Sequence, residues 1–311
     1  MHSVLLTRRI PSSVLRTLES ACSVELYDGP LPSSDEELTR RLPGKRALIS
    51  ALSDRITPAV IDAGSSLSII ANIAVGYDNI DVAHAKRRGI VVTNTPDVLT
   101  NAVAEFTWAL ILAAARRVVE GDRLVRRGEW KGWALDFMLG SELTGKQLGI
   151  IGRGRIGRAV AEKAPAFGMK AVFAARQGRP ALPDEISLDE LLISSDVVSL
   201  HVPQTPSTAR MIDRRALARM KRSAILVNTA RGAVVDEEGL GWALDERLIA
   251  GAALDVYERE PAVHASLLGR ENVVLAPHIG SATRETRTAM ADLAVRNVIA
   301  VLSGKTALTP V

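Results

Sequence analysis

The stretch Gln147-Leu148-Gly149-Ile150-Ile151-Gly152-Arg153-Gly154-Arg155-Ile156-Gly157 decides the fold. Its first five residues are a short apolar run that reads as a strand. Gly152, Gly154 and Gly157 then follow in the spacing G-x-G-x-x-G, and Arg158–Ala166 reads as a helix. A glycine triplet alone marks no more than a turn. Set between a strand and a helix, it is the phosphate turn of a dinucleotide site. Gly152 permits the tight turn, Gly154 lets the backbone approach a pyrophosphate, and Gly157 lets the helix pack on the strand. N–H groups at the helix start, around Arg155 and Ile156, are placed to hold phosphates.

Downstream, Lys170–Ala174, Asp196–Leu200, Ala224–Asn228, Gly251–Asp255 and Val273–Leu275 read as further strands with helices between them. With the glycine strand they make the six of a doubly wound dinucleotide domain. Upstream, the strands Val4–Leu6, Val24–Leu26, Ala47–Ser50, Ser68–Ala71 and Ile90–Val92 alternate with the helices Pro11–Ser20, Asp35–Arg41, Thr57–Ala63 and Val82–Arg88. Such alternation predicts parallel sheets with crossover helices. Ser34 and Asp81 stand as helix N-caps. The expected fold is therefore α/β, with two doubly wound, Rossmann-like parallel-sheet domains. Between the two series a long helix is expected from Asn101 through Val119 and on toward Arg127. Its stretch Ala102–Leu112 is apolar on nearly every face, which predicts burial all round, between domains or subunits. Residues 128–146 read as a loop or arm. The last helix, about Thr283–Leu302, follows the second series.

Bulk properties narrow the partners. A length of 311 residues suits two domains. The net charge of +4 comes from 39 basic and 35 acidic residues, and the arginine pairs are scattered rather than clustered, which argues against nucleic acid. One cysteine, Cys22, leaves no internal disulfide and fits a reducing cytoplasm. The apolar start at Met1–Thr7 is too short for a signal peptide, and the run Thr107–Arg116 falls far below the ~20 residues that span a bilayer. No membrane segment and no metal site are expected.

The second strand of the dinucleotide series ends at Ala175-Arg176-Gln177-Gly178-Arg179. An NAD-type site keeps an Asp or Glu here, ~20 residues past the loop, to bind the ribose hydroxyls. Ala175 and Arg176 occupy that corner instead. A guanidinium pairs with a 2′-phosphate that a carboxylate would repel, so Arg176 and Arg179 point to NADPH over NADH, with NADH the weaker donor.

Three polar residues lie just past strands of the same series: Arg231, Glu260 and His278. Ligands of open parallel sheets bind outside the carboxyl ends of the strands, so all three could reach one cleft. Hydride transfer to a keto carbon leaves an alkoxide that needs a proton, and histidine is the suitable donor. A carboxylate beside it favours the imidazolium and fixes the ring. An arginine grips a substrate carboxylate and polarises the keto oxygen.

Gly149–Gly157, Asn228–Gly232, Ala253–Pro261 and Pro277–Thr283 together resemble the signatures of the D-isomer-specific 2-hydroxyacid dehydrogenases. The runs Ala71–Asp81 and Thr93–Thr100 are most similar to the glyoxylate/hydroxypyruvate reductase branch. The resemblance implies that His278 donates the proton, Glu260 is its partner and Arg231 anchors the substrate. It implies backbone at Val75 and Gly76, with Ser281 near it, on the substrate carboxylate. Thr229, Ala230, Asp255 and Gly280, with Arg231 and His278, would line the nicotinamide side. Gly152 to Gly157, with Arg153, Arg155 and Ile156, would lie on the pyrophosphate, and Ala175, Arg176 and Gln177 on the adenosine ribose. Arg153 and Arg155 at the second and fourth loop positions add positive charge near the phosphates.

The same resemblance implies a substrate domain at 1–98 plus 281–311, a nucleotide domain at 99–280, and a cleft between them. It also implies a homodimer formed through Ala102–Val119 and Trp130–Phe137. The expected reaction is reduction of a small 2-keto acid to the 2-hydroxy acid, of D configuration where chiral. One alternative is another member of the family, such as a phosphoglycerate-type enzyme. No regulatory domain is expected after residue 311, which disfavours it. The other is a cofactor-sensing corepressor on the same fold, which would have no need of His278, Glu260 and Arg231.

Overall fold

The strands form because their side chains are apolar on both faces, as parallel sheets covered on two sides require. In this computed structural model, which describes residues 1–176, 178 and 180–311, the chain clusters into two units. One unit comprises Met1–Leu99 with Ala282–Val311, and the other Thr100–Ser281.

The first unit runs β1 (His2–Leu6), α1 (Ser12–Ala21), β2 (Cys22–Leu26), α2 (Asp35–Arg41), β3 (Ala47–Ala51), α3 (Pro58–Ala63), β4 (Ile69–Ile73), α4 (Val82–Arg87) and β5 (Val91–Thr93). The sheet is parallel throughout, in the order β2-β1-β3-β4-β5. That is the doubly wound order of flavodoxin-like domains. Ser34 Oγ accepts the Glu37 N–H and Asp81 Oδ1 the His84 N–H, so both expected caps close their helices. The closing helix, Arg284–Leu302, belongs to this unit. Its Ala291, Ala294, Val295 and Val298 join the core of Val4, Leu6, Ile49 and Ile69. The fully buried Asn297 fixes the tail behind it, donating to Thr309 Oγ1 at 2.9 Å and accepting the N–H groups of Leu308 and Thr309.

The second unit opens with α5 (Thr100–Ala115) and α6 (Val118–Arg126). Then come β6 (Gln147–Ile151), α7 (Arg155–Lys163), β7 (Lys170–Ala174), β8 (Glu185–Ile186), α8 (Leu188–Ser194), β9 (Val197–Leu200), α9 (Arg214–Leu217), β10 (Ile225–Asn228), α10 (Glu237–Asp245), β11 (Gly251–Leu254) and β12 (Val273–Leu275). Its parallel sheet has the order β12-β11-β10-β9-β6-β7-β8. This is the six-stranded doubly wound arrangement with one strand added at the β12 edge. The strand that the sequence reading lacks is β8, two residues long and acidic at its start.

The expected long helix is two helices. Arg117, at φ 54°, takes the left-handed conformation and ends the run. Its guanidinium forks onto the buried Glu120, with nitrogen–oxygen distances of 2.7 and 2.6 Å. The Ser141 N–H caps the Ala115 carbonyl that the break releases. Nor is α5 buried all round in the single chain. Trp108 is buried, stacked on Phe167 and donating to the Val160 carbonyl, but Asn101, Glu105 and Ala109 leave an exposed stripe.

Candidate active site

The glycine loop leaves β6 beside β9, where the strand order reverses. Gly152 has φ 109° and packs on the His201 carbonyl, so a side chain there would overlap the backbone. A side chain at Gly157 would overlap the Gly152 carbonyl. At Gly154 the space is open, with nothing within 4 Å of the position a Cβ would take. Gly154 also brings no side chain to cap α7. Two closed positions and one open position make a turn that fits a dinucleotide pyrophosphate at the helix start.

The ribose corner follows β7. The Ala175 N–H donates to the Ile186 carbonyl at 2.7 Å, and Arg176 is exposed. Gln177, expected on the adenosine ribose, and Arg179, expected at the 2′-phosphate, lie outside the described residues. The Arg153 guanidinium does not point into open solvent. It lies 4.5 Å above the Phe173 ring and pairs with Asp184.

The polar residues past β10, β11 and β12 are held by a dense backbone network. Asn228, buried at the end of β10, accepts the Ala230 N–H and donates to the Arg231 carbonyl, which staples the loop that carries Arg231. Gly232 packs so closely on the Tyr257–Glu258 peptide that any side chain would overlap it. Thr229 Oγ1 lies 3.0 Å from Thr107 Oγ1. Glu260 sits in the loop after β11, where its Oε1 accepts the Tyr257 N–H. The buried carboxylate of Glu237 brackets the same loop by accepting the N–H groups of Glu258 and His264.

His278, after β12, has φ 55°. Its Nδ1 lies 2.7 Å from Glu260 Oε2. Burial works against ionisation of Glu260, but the His278 hydrogen bond and charge, the Tyr257 N–H and the Arg231 charge outweigh it and hold the carboxyl below its ordinary range. Asp255, buried beneath, accepts the N–H groups of Ile279 and Gly280 at 2.8 Å each. His201, just past β9, is partly exposed as a residue, and burial pushes its pKa down to about 3.

In the first unit, Val75 and Gly76 follow β4. Asn94 Nδ2 donates to the Val75 carbonyl at 2.8 Å, and Asn72 Nδ2 to the Gly76 carbonyl at 2.9 Å. Tying back the carbonyls fixes the direction of the loop's N–H groups. Ser281 is the last residue of the second unit. The sequence reading did not single out Asn72, Asn94, Asn228 or Glu237. The asparagines carry the one available signal, a polar residue within or just past an apolar strand.

The family model for the D-isomer specific 2-hydroxyacid dehydrogenase NAD-binding domain matches residues 108–280. The chain belongs to that family. It is therefore a nicotinamide-dependent oxidoreductase. Among its relatives, a glyoxylate reductase of Thermococcus onnurineus is 48% identical over 97% of this chain and 93% of its own. A crystal structure of a Thermus thermophilus protein matches with a TM-score of 0.94 and 48% identity, covering 99% of each chain. A Sinorhizobium meliloti NADPH-dependent glyoxylate/hydroxypyruvate reductase, crystallised with NADP and malonate, matches with a TM-score of 0.87 and 36% identity over 100% of this chain and 96% of its own.

Proposed function

We propose that this dehydrogenase reduces glyoxylate and related small 2-keto acids such as hydroxypyruvate, with NADPH preferred over NADH and a D product where the product is chiral. The observation that carries the reading is the 2.7 Å pairing of His278 with Glu260 past the end of β12. The glyoxylate reductases among the relatives support the substrate class. The missing acid at Ala175, together with Arg176, supports the cofactor.

Gly152 to Gly157 hold the pyrophosphate, and Ala175, Arg176, Gln177 and Arg179 are the residues assigned to the adenosine ribose and its 2′-phosphate. Thr229, Ala230, Asp255 and Gly280 line the nicotinamide side. The bound dinucleotide supplies the hydride. His278 Nε2 gives its proton to the oxygen of the reduced carbonyl, and Glu260 stabilises the imidazolium that holds this proton. Arg231 binds the substrate carboxylate and polarises the keto oxygen, and Val75, Gly76 and Ser281 are further substrate-binding residues. The working form is a homodimer.

The test is turnover of glyoxylate and hydroxypyruvate with each cofactor. His278→Ala should lower kcat by ~10²–10⁴, the usual worth of a positioned general acid, and leave NADPH binding nearly intact. A wild type that turns over neither keto acid, or a His278→Ala variant near wild-type rate, overturns the reading.

A further inference from the structure

We propose that Arg153 is a specificity-determining residue for the cofactor, because it covers the negative charge of Asp184 and Glu185 beside the ribose corner. The proposal rests on the NADPH reading above. Arg153 occupies the second position of the glycine loop, and its guanidinium pairs with Asp184 and lies 3.9 Å from Glu185 Oε1. Stacking on Phe173 fixes it in place.

The two acids are close to the corner that reads the ribose. The Phe173 N–H donates to the Asp184 carbonyl, Phe173 stands opposite Glu185 in the β7–β8 pair, and the Ala175 N–H donates to the Ile186 carbonyl. Glu185 therefore lies two residues, and Asp184 three, along adjacent strands, from the position where an NAD-type site keeps its acid. Glu185 has a fully buried side chain and its Oε2 accepts the Leu182 N–H, so it cannot swing away into solvent. The Arg153 hydrogen bond holds the Asp184 carboxyl below its ordinary range, so Asp184 is charged at neutral pH. Left uncovered, the half-exposed Asp184 would stand near a 2′-phosphate that carries nearly two negative charges. The charge of Arg153 thus offsets these acids rather than adding to the field at the pyrophosphate.

Arg153→Leu keeps an apolar cover over Phe173 and removes the charge. Binding of 2′,5′-ADP and of 5′-AMP to the intact enzyme separates the phosphate from the nucleoside, and kcat/KM with NADPH and NADH follows catalysis. In Arg153→Leu, 2′,5′-ADP affinity and kcat/KM for NADPH should fall about tenfold, as expected for two half-screened charges at close range. Values for 5′-AMP and NADH should fall by a clearly smaller factor than those for 2′,5′-ADP and NADPH. The loss should shrink at high salt. Adding Asp184→Asn should recover most of it, and Asp184→Asn alone, at a half-exposed side chain, should tighten 2′,5′-ADP.

A wild type that binds 2′,5′-ADP no better than 5′-AMP removes the cofactor reading itself. A wild type that prefers 2′,5′-ADP, with an Arg153→Leu variant that keeps the preference or loses both ligands equally, overturns the role of Arg153. If Arg153→Leu does not fold, an unchanged 2′,5′-ADP affinity in Asp184→Asn overturns it equally.

Discussion

His278 Nδ1 and Glu260 Oε2 lie 2.7 Å apart, and the depressed pKa of Glu260 decides which of them holds the proton. An ionised carboxylate only accepts, so Nδ1 carries a hydrogen toward Glu260. That leaves Nε2 as the nitrogen for the proton transfer proposed above, with the ring oriented by Glu260 before any substrate arrives.

Replacing Glu260 by Gln should move the high-pH limb of keto-acid reduction to lower pH, since the imidazolium loses its stabilising charge. The stability sign is also defined. Glu260 titrates below its unfolded value of about 4.3, so its contribution is present above that pH and is lost as pH falls through the folded value. The stability difference between wild type and Glu260→Gln should therefore shrink on acidification. Denaturation series from pH 7 down to pH 3, with kcat/KM profiles beside them, check both statements. Parallel profiles would count against the pairing.

Asp255 acts on His278 through the backbone. Its carboxylate holds the two N–H groups that follow the left-handed His278, and an L-residue in that conformation needs such a restraint. In Asp255→Asn an amide N–H would meet a peptide N–H. The mismatch should cost ~1–3 kcal/mol of stability. Misplacement of the ring should lower kcat by on the order of 10–100-fold, with a smaller change in KM for the keto acid. Thermal unfolding and steady-state rates together test this. A variant with normal Tm and kcat would show that the turn holds itself.

Arg231→Lys keeps the charge and loses the planar fork. If one guanidinium both grips the carboxylate and polarises the carbonyl, KM for the keto acid should rise and kcat should fall together. Intact kcat/KM would assign Arg231 to the loop that Asn228 staples.

The fold was legible where local pattern and burial agree. The glycine strand, the capped helices at Ser34 and Asp81, and the fully apolar strands announce themselves within a few residues. What escaped depends on partners distant in sequence. The left-handed break at Arg117 has a local fork onto Glu120, but the Ser141 N–H that takes up the released Ala115 carbonyl comes from far along the chain. Asp255 reads as a strand-end acid, and only the fold brings Ile279 and Gly280 to it. Arg153 reads as a phosphate-side charge until Asp184, just before a two-residue strand with no apolar run, is seen to hold it.

The segment after α6 exposes Trp133 at 82% and Leu135 at 83%, with Trp130, Phe137 and Leu139 also open to solvent. An apolar cluster of this kind on a single chain marks an interaction surface. A second copy, related by a twofold axis, is the commonest way to cover one. Light scattering at micromolar concentration should give twice the 33.3 kDa of the chain. Trp133→Asp combined with Leu135→Asp should shift the mass toward that of one chain. A monomeric wild type overturns the assembly.

Cofactor choice is the prediction with the most direct residue-level reason. The 2′-phosphate needs cationic partners, and Arg176 stands one residue past the place where an NAD enzyme keeps its acid. A hydrogen bond to a charged group is worth ~1.5–3 kcal/mol. Arg176 is exposed, so solvent screening reduces that figure, and about a tenfold preference for NADPH remains. NADH leaves a solvated arginine rather than a buried unpaired one, so it should bind weakly and not be excluded. The double change Ala175→Asp with Arg176→Ala restores an acceptor for the ribose hydroxyls and removes the phosphate partner. It should reverse the preference while leaving KM for the keto acid nearly unchanged, because the two substitutions lie at the adenosine end of the site. The measurement is kcat/KM for both cofactors on both proteins. A double variant that still favours NADPH would show that the phosphate is read by other residues.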